Sequence, residues 1–413
     1  MDHATTPSSR VRWHDRAAQR AAIRLLDRLE VGALTLIDGG EERHFGSIEA
    51  EPGLCATVHV HDSAFYRRLL FGGSIGAAES YMDGQWTSTD LVSVVRVFAR
   101  NRHAMLSMEK GWARLVKPAN KLFHWLQANT LRGSRRNIAA HYDLSNAFFE
   151  QFLDPTMTYS CAVFESADAT LEEAQVAKLD RVCRKLALRP DDHVLEIGTG
   201  WGSFAIHAAS RYGCRVTTAT ISREQYALAR ERIHAAGLDD RIEVVFKDYR
   251  QLQGQYAKIA SIEMIEAVGW ERVDGFFGKC SELLTPDGTM VLQAITRADQ
   301  EHERSKRNVD FIKRYIFPGG CLLSVTAMAD SLTRATGMRL VHLEDITAHY
   351  APTLRLWRER FCANWDTVRA MGFHERFMRM WEFYLAYCEG GFMERAIGDV
   401  QMVLAKPSWR GGI

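Results

Sequence analysis

The fold of this chain is decided by the stretch Val194-Leu195-Glu196-Ile197-Gly198-Thr199-Gly200-Trp201-Gly202. An apolar run ending in an acid is followed by three glycines, and residues 203–212 then carry apolar side chains at helical spacing. This order predicts a β-strand, a tight turn and an α-helix. Glycine suits a turn in which the backbone takes positive φ or approaches a ligand, and the next helix offers free N–H groups to a polar cofactor.

The spacing of these glycines discriminates between cofactors. A dinucleotide fingerprint reads G-x-G-x-x-G, whereas here an acid precedes glycines spaced G-x-G-x-G. The pattern E-x-G-x-G-x-G resembles that of class I S-adenosylmethionine (SAM) methyltransferases. From this motif alone, a nicotinamide or flavin cofactor and a purely structural strand-turn-helix unit stay open as alternatives.

The composition limits the class of protein. A chain of 413 residues is too long for one small domain, so two domains are expected. The formal net charge of +1 argues against a dedicated nucleic-acid binder. The eight cysteines form no CxxC pair, so no metal site is predicted and a reducing cytosol is favoured. No run of about 18 apolar residues occurs, which predicts a protein that is soluble or peripheral to a membrane.

Residues 1–104 are predicted to form a small α+β domain. Alternating segments at 34–36 and 56–60, with turn glycines between them, predict strands of a small antiparallel sheet. An amphipathic helix with a basic face is expected over 16–29. Three further helices are expected over 63–70, 74–82 and 91–100.

Residues 105–139 are predicted to be a basic, aromatic linker helix. Lysines and arginines alternate there with tryptophan and phenylalanine, and acids are almost absent. Three interpretations stay open: a solvated helix between domains, a docking face for anionic phospholipid headgroups, and a nucleic-acid patch. The basic residues are Lys110, Arg114, Lys117, Lys121, Arg132, Arg135 and Arg136.

Residues 140–413 are predicted to form a Rossmann-like α/β domain with a seven-stranded, doubly wound sheet. Thr170 and Glu173 form a capping box that opens a helix. Mostly helical insertions, rich in aromatic residues, are expected over 297–335 and 350–396. The strands are expected near 193–197, 215–219, 242–246, 258–262, 289–295, 339–343 and 399–405.

Several motifs along the second domain identify a family. Hydroxyl and amide groups in Thr218–Gln225 replace the carboxylate that often holds a ribose at the end of the second strand. With the other motifs in this order, the chain resembles the cyclopropane-fatty-acyl-phospholipid synthases and mycolic-acid cyclopropane synthases. The likeness covers about 140–413, and the first hundred residues look like the lipid-binding N-terminal domain of the phospholipid-acting branch. The other motifs are His141-Tyr142-Asp143-Leu144-Ser145, Tyr159-Ser160-Cys161, Ile265-Glu266-Ala267-Val268-Gly269, Tyr315-Ile316-Phe317-Pro318-Gly319-Gly320 and His349-Tyr350.

The resemblance implies a set of residues for SAM. They follow the cofactor from its methionine end, through the glycine loop, to the ribose and the adenine. In that order they are Tyr159, Ser160, Glu196, Gly198, Gly200, Gly202, Thr220, Ile221, Gln225, Asp248 and Tyr249.

The expected chemistry requires an anion. An alkene has no lone pair, so its π electrons attack the SAM methyl group and leave a carbocation that needs nearby negative charge and a base. In the family that anion is a bound bicarbonate ion. The resemblance implies that it is held here by Cys161, Glu266, Gln293, the backbone of Ile295, and Tyr350.

Two positions depart from the family and a third is ambiguous. The best-known members have histidine where this chain has Gln293, and histidine after the glutamate where it has Ala267. An amide carries no charge near neutral pH, so the fate of the cation is open. Cys388 aligns with a cysteine assigned to the active site. Because transfer to an alkene needs no covalent enzyme intermediate, a small residue near an acyl channel is the better interpretation.

The leading hypothesis is a SAM-dependent C-methyltransferase that forms cyclopropane rings on unsaturated acyl chains of membrane phospholipids. Two alternatives stay open: the same transfer ending in a methylene or methyl-branched fatty acid, and methylation of a small soluble acceptor. The expected location is cytoplasmic, peripheral on the inner face of the membrane. The expectation also allows a homodimer, and a reductase partner if the product is a methylene fatty acid.

Overall fold

The computed structural model describes residues 13–49, 51–102, 144–306 and 308–412. The chain divides into two compact units, and Phe373–Gly390 belongs to the first of them with the N-terminal elements. The predicted linker helix over 105–139 and the motif residues 141–143 lie outside the described residues.

The first unit contains a four-stranded sheet in the order β2-β1-β3-β4, with helices that flank it in sequence. The elements are α1 (Trp13–Leu26), β1 (Gly32–Asp38), β2 (Glu41–Ser47), β3 (Cys55–Val60), α2 (Ala64–Met82), β4 (Trp86–Thr87) and α3 (Leu91–Arg100).

The prediction of a purely antiparallel sheet in this unit is wrong, because the sheet is mixed. β1 and β2 form an antiparallel hairpin around Gly39 and Gly40, which both have positive φ, and β3 then pairs with the other edge of β1 in parallel. β2 was not predicted, because only Phe45 of its seven residues is buried. A strand without apolar alternation has no period-2 pattern to detect.

The second unit is built on a seven-stranded sheet in the order β10-β11-β9-β8-β5-β6-β7. β5 to β9 are mutually parallel, and β11 pairs antiparallel with both β9 and β10. The seven predicted strands are confirmed, and most are longer than expected. They are β5 (His193–Ile197), β6 (Arg215–Thr220), β7 (Ile242–Phe246), β8 (Tyr256–Ile262), β9 (Leu284–Arg297), β10 (Arg339–Asp345) and β11 (Ile397–Ala405).

Helices connect these strands and form the insertions between the later ones. The capping box at the start of α5 is confirmed: the Thr170 hydroxyl accepts from Glu173 N at 3.2 Å, and the Glu173 carboxylate accepts from Thr170 N at 2.8 Å. The helices are α4 (Asn146–Phe149), α5 (Leu171–Leu186), α6 (Ser203–Tyr212), α7 (Arg223–Ala235), α8 (Val273–Leu283), α9 (Asp299–Ser305), α10 (Val325–Ala335), α11 (Tyr350–Ala363), α12 (Trp365–Ala370) and α13 (Glu375–Met393).

Short turns of other helical types complete the second unit. One π-helical turn spans Ile312–Ile316. The 3₁₀ turns span Tyr249–Gln251, Ile265–Ala267, Trp270–Arg272 and Thr347–His349.

The sheet is covered on both faces, as expected for a doubly wound fold. Alternate residues of one strand enter different cores: Leu195 packs with α8 and α10, whereas Val194 packs with α5 and α6. From β5 the chain proceeds to β6 and β7 on one side and returns to β8 and β9 on the other. The carboxyl ends of β5 and β8 therefore border the crevice in which open α/β sheets bind ligands.

Among the described residues, no helix has both the length and the apolar character needed to cross a bilayer. The insertion predicted over 350–396 is helical, but it is shared between the two units, because Phe373–Gly390 groups with the first.

Candidate active site

The glycine loop follows β5 at the crevice. Gly198, Gly200 and Gly202 have φ of +106°, +52° and +88°, values that favour glycine. A Cβ at Gly200 would meet no atom within 4 Å, whereas one at Gly198 would lie 3.2 Å from the Met264 side chain. Gly200 therefore borders open space, and Gly198 permits close packing of the segment that follows β8.

Glu196 joins the ends of β5 and β6. Its carboxyl accepts a hydrogen bond of 2.6 Å from the Thr218 hydroxyl, which also lies 2.7 Å from the Thr199 hydroxyl. Burial raises the pKa of Glu196 to about 8. The carboxyl is therefore neutral at pH 7, and its hydrogen bond with Thr218 connects the ends of β5 and β6.

The ends of β6 and β7 present polar groups to the same edge of the sheet. The buried Thr220 hydroxyl donates to Gln225 Oε1 at 2.9 Å. The buried Asp248 carboxylate accepts from Arg250 Nε at 2.7 Å and from its Nη2 at 2.6 Å. Tyr249 packs edge-on against Phe276, with ring centroids 5.4 Å apart. Ile221, which follows Thr220, is partly buried.

A second group of polar residues surrounds Glu263, the residue directly after β8. Glu263 Oε1 accepts from Cys161 N at 2.7 Å and from Gln293 Nε2 at 2.8 Å. Its Oε2 accepts from the Tyr350 hydroxyl at 2.6 Å. Three donors thus stabilise one carboxylate, and its φ of +48° places Glu263 in the left-handed region that side chains rarely adopt.

Glu266 lies one short turn beyond Glu263. Its Oε1 accepts from Ile295 N at 2.6 Å, and its buried Oε2 has no hydrogen-bond partner among the described residues. Burial, and then the charge of Glu263, raise the pKa of Glu266 to about 8. Burial also raises the pKa of Glu263, whereas the hydrogen bonds from Tyr350 and Cys161 N oppose that rise. The two carboxyls therefore differ in their hydrogen bonds, since Glu263 has donors on both oxygens and Glu266 Oε2 has none among the described residues.

Lys178 of α5 is the basic side chain beside this group. The fully buried side chain donates from Nζ to the Ser160 hydroxyl at 2.6 Å. Burial lowers the pKa of Lys178, whereas the charge of Glu263 opposes that effect. The adjacent Cys161 is also fully buried, and burial raises the pKa of its thiol well above the usual value, so the thiol stays protonated.

Aromatic rings form a wall beside these carboxyls. Tyr159 lies 5.2 Å from Trp357 and 5.4 Å from Phe149 between ring centroids. The ring centroids of Tyr350 and Trp357 lie 6.3 Å apart, so Tyr350, one of the donors to Glu263, also belongs to this group of aromatic rings. Phe149 in turn packs 4.9 Å from Trp201 of the glycine loop. The wall therefore connects the two polar regions, and ring faces can stabilise a nearby cation.

Comparison with known proteins decides the family. The mycolic acid cyclopropane synthetase family matches residues 129–402, which is more than half of the chain. The chain belongs to this family.

Individual relatives agree with that assignment. The chain is 42% identical over 356 residues to a tuberculostearic acid methyltransferase of Mycobacterium tuberculosis, covering 84% of this chain and 82% of the relative. It is 38% identical over 359 residues to the cyclopropane-fatty-acyl-phospholipid synthase of Escherichia coli K12, covering 85% and 88%. A mycolic acid cyclopropane synthase solved with S-adenosylhomocysteine and CTAB superposes with a TM-score of 0.62 and 35% identity, covering 66% and 98%. The protein is therefore a SAM-dependent methyltransferase of the cyclopropane synthase type.

SAM fits the glycine-loop side of this family member. Gly200 leaves space for a ligand, and the strand ends beside it present the hydroxyl of Thr220, the amide of Gln225 and the carboxylate of Asp248. These groups are the kinds of acceptor and donor that the ribose hydroxyls and the adenine edge of SAM require.

The bicarbonate ion expected from the family resemblance does not fit the described residues, because the donors expected to bind it already have partners. Three of its expected partners, Cys161, Gln293 and Tyr350, already donate to Glu263, and Ile295 N donates to Glu266. The position is taken by a carboxylate that belongs to the chain itself. Sequence reasoning missed Glu263, although its place directly after a predicted strand at the sheet crevice was a usable signal.

Cys388 lies partly buried on α13, in the portion of that helix that belongs to the first unit. The other predicted site residues lie along the two regions described above, at the carboxyl ends of β5 to β9 and on the segments that contact them.

Proposed function

We propose that this protein methylates the double bond of an unsaturated acyl chain in a membrane phospholipid and thereby forms a cyclopropane fatty acid. One observation carries the proposal: a carboxylate is fixed by three donors at the sheet crevice, beside buried aromatic rings. A methyltransferase for amines or hydroxyls needs no anion to stabilise a carbocation, since its acceptor already has a lone pair. The same observation therefore disfavours a small soluble acceptor.

The chemistry assigns different roles to the two polar regions. We assign the SAM-binding role to the glycine loop with Tyr159, Ser160, Thr220, Gln225 and Asp248, and bound SAM supplies an activated methyl group. The Glu263 carboxylate lies where it stabilises the carbocation that forms on the acyl chain. When Glu263 accepts a proton from the added methyl group, the C–H electron pair closes the three-membered ring.

Glu263 thereby replaces the bicarbonate ion in the proposed reaction. A tethered carboxylate is present at every turnover and loses no translational freedom on binding. Tyr350 and Gln293 hold it in place through hydrogen bonds of 2.6 Å and 2.8 Å.

A second product is favoured by one comparison. The relative with 42% identity is named a tuberculostearic acid methyltransferase, which points to a methyl-branched product. In that case a hydride shift precedes loss of the proton, and the C–H electron pair forms an exocyclic double bond. A reductase partner must then supply a hydride, and a proton from solvent completes the reduction. Gas chromatography with mass spectrometry of lipids from expressing cells separates the products: the cyclopropane and methylene acids are isomers that each gain one CH₂, whereas the reduced methyl-branched acid gains one CH₂ and two further hydrogens.

The role of Glu263 is tested by replacing it with glycine, which accepts the positive φ at this position. Glu263→Gly should lower kcat by roughly 10²–10³. Added bicarbonate or formate should restore part of the activity, because the three donors are then free to bind it. Glu263→Gln is the matched control: it removes the charge but fills the space, so the anions should not rescue it. An unchanged kcat in Glu263→Gly, or a wild-type enzyme that requires bicarbonate, would contradict the proposal.

The membrane location rests on the first unit. Arg16, Arg20 and Arg24 follow one another at one-turn intervals on α1, and all three side chains are exposed. Each basic residue near an anionic bilayer contributes about 1 kcal/mol to binding. Replacing the three with glutamine should therefore weaken sedimentation with phosphatidylglycerol vesicles and leave turnover of detergent-dispersed substrate unchanged.

The matched control replaces three exposed arginines of the second unit, Arg189, Arg215 and Arg339, and so changes the net charge equally. Equal weakening in both triple variants would mean that net charge alone governs binding. No weakening in the α1 variant would exclude this face as the membrane contact.

A further inference from the structure

Asp399 is a buried carboxyl that has no role in the proposed reaction. It is fully buried on β11, where its register partner on β9 is Ile295. Its Oδ2 accepts from Gln293 Nε2 at 2.9 Å, and its Oδ1 is buried without a hydrogen-bond partner among the described residues. A buried oxygen with no partner is costly for a charged carboxylate and much less so for a neutral carboxylic acid.

The same nitrogen binds both carboxyls. Gln293 Nε2 donates to Asp399 Oδ2 and, at 2.8 Å, to Glu263 Oε1. An amide nitrogen has two hydrogens, so each carboxyl receives one of them. Glu263 and Asp399 are therefore neighbours, and Asp399 is fully buried.

Hydrogen bonds to the oxygen of the Gln293 amide fix its orientation. Gln401 Nε2 donates to Gln293 Oε1 at 3.0 Å, and Lys185 Nζ donates to Gln401 Oε1 at 2.7 Å. Lys185 also donates to Glu344 Oε2 at 2.5 Å. Because Lys185 can only donate, the whole chain of amides is oriented, and the NH₂ group of Gln293 must face the two carboxyls.

Two buried carboxyls that share one donor cannot both be ionised at low cost. Glu263 accepts from three donors, whereas among the described residues Gln293 is the one amide donor to Asp399, and the Cys161 thiol and Glu263 are its other hydrogen-bonding neighbours. Burial, and then the charge of Glu263, raise the pKa of Asp399 well above its usual value. The other charged or titratable groups that face the pair are Lys178 and Cys161.

We propose that Glu263 and Asp399 form a buried carboxyl pair that holds one proton, with Asp399 as the positioning residue that carries it and keeps Glu263 ionised. The inference rests on the proposed function for the role of Glu263 in turnover, but the shared proton itself does not depend on that role. Its consequence for catalysis is that one negative charge faces the cation over a wide pH range.

The first test is infrared spectroscopy of the ligand-free protein at pH 7. The difference spectrum of wild type minus Asp399→Asn should contain the C=O stretch of one protonated carboxylic acid, shifted in D₂O. Glu196 and Glu266 are unchanged in this pair, so their bands cancel. Asp180→Asn is the control and should show no such band, because hydrogen bonds from Tyr212 and His207 outweigh partial burial and lower the pKa of Asp180.

The second test is the pH profile of kcat/KM, which reports the ionisation of the free enzyme. If Asp399 carries the proton, Asp399→Asn exchanges an O–H donor for a weaker N–H donor, and the acid limb should move to higher pH. If Asp399 is ionised, the same change removes a negative charge, and the limb should move to lower pH. A downward shift, or a missing infrared band, would overturn the inference.

The two tests separate this inference from the proposed function. Wild-type protein without alkene methylation would refute the function, but the infrared band would still decide the state of Asp399. If Asp399→Asn does not fold, wild-type protein labelled with ¹³C at its aspartate carboxyls provides the comparison: the protonated-acid band of Asp399 should shift to lower frequency on labelling, and a spectrum in which no protonated-acid band shifts would overturn the inference.

Discussion

The glycine loop and the Glu263 cluster lie at the carboxyl ends of neighbouring strands, but they are made from different parts of the chain. The loop is a backbone structure in which three nearby glycines adopt positive φ and leave space for a ligand. The cluster is made of side chains from four separate segments, represented by Cys161, Glu263, Gln293 and Tyr350. A site of the first kind can be recognised in consecutive residues, whereas a site of the second kind requires the tertiary fold.

The largest expected effect concerns the loop. Gly200→Val places a branched side chain in the open space beside the loop, and it also strains a φ of +52°. We expect the Kd for SAM, measured by calorimetry, to rise by roughly 10²-fold, which corresponds to about 3 kcal/mol.

The matched control is Gly237→Val. Gly237 has a φ of +66° and no atom within 4 Å of its Cβ position, so the backbone cost is similar at a site outside the crevice. Equal loss of SAM binding in both variants would indicate damage to the fold rather than to a binding site.

The loop and the sheet could be predicted because their signals are local. The strands at 193–197 and 242–246 have the predicted bounds, since each is a short run bounded by turn or polar residues. The capping box of α5 was also predictable from four consecutive residues. The hairpin strand Glu41–Ser47 was not, because its side chains are mostly exposed and polar.

A second prediction concerns the donors of the cluster. Tyr350→Phe removes the 2.6 Å hydrogen bond to Glu263 but retains the ring that stacks on Phe392 with centroids 4.2 Å apart. Loss of a donor to the charged form raises the pKa of Glu263, so the acid limb of the pH profile should move upward. We expect kcat at pH 7 to fall by roughly 10–10². Tyr256→Phe, which removes only a hydrogen bond to a backbone carbonyl, should leave both quantities unchanged.

The cluster was only partly predictable. The family resemblance predicted Cys161, Gln293 and Tyr350 as site residues, and the structure does bring them together. The resemblance implied that they bind a bicarbonate ion rather than Glu263. The place of Glu263 after a predicted strand was a signal, but the sequence alone does not show that this residue adopts a φ of +48° and turns its carboxylate toward three donors. Asp399 was read only as the start of a strand, since its importance comes from strand pairing with β9.

A third prediction compares one buried carboxyl from each region. Burial raises the pKa of Glu196, and burial with the charge of Glu263 raises that of Glu266, each from 4.5 to about 8. A raised pKa means that the folded state binds more protons than the unfolded state. Protonation of these glutamates therefore contributes fully to the free energy of unfolding below pH 4.5, and this contribution is lost as pH rises to 8. Glutamine does not titrate. The Tm of Glu196→Gln and Glu266→Gln, relative to wild type, should therefore increase between pH 4.5 and 8 and remain level above it.

The glutamine side chains retain an oxygen that accepts from the Thr218 hydroxyl and from Ile295 N, respectively, so loss of a hydrogen bond should not mask the effect. A Tm difference that does not vary with pH would show that the two carboxyls are ionised in the folded protein. If only Glu196→Gln shows the effect, the charge of Glu263 is not acting on Glu266.

The smallest expected effect is that of Gln293→His, which restores the residue expected from better-known relatives. A neutral imidazole has one N–H and one acceptor nitrogen, so it can serve one carboxyl and accept from Gln401, whereas Gln293 now serves two carboxyls. Activity should persist within about tenfold, because Glu263 retains its bonds from Cys161 and Tyr350. Protonated imidazole can donate twice and adds a positive charge, so a new limb should enter the pH profile, starting from the unperturbed histidine pKa of about 6.5 and moved upward by the two carboxyls. An inactive but folded variant would mean that both carboxyls require a donor in turnover, and an unchanged pH profile would place residue 293 outside the reaction centre.

The product ratio is the finer measurement: if the position of the Glu263 carboxylate decides which proton leaves the cation, the ratio of cyclopropane to methylene product should change with the altered donor.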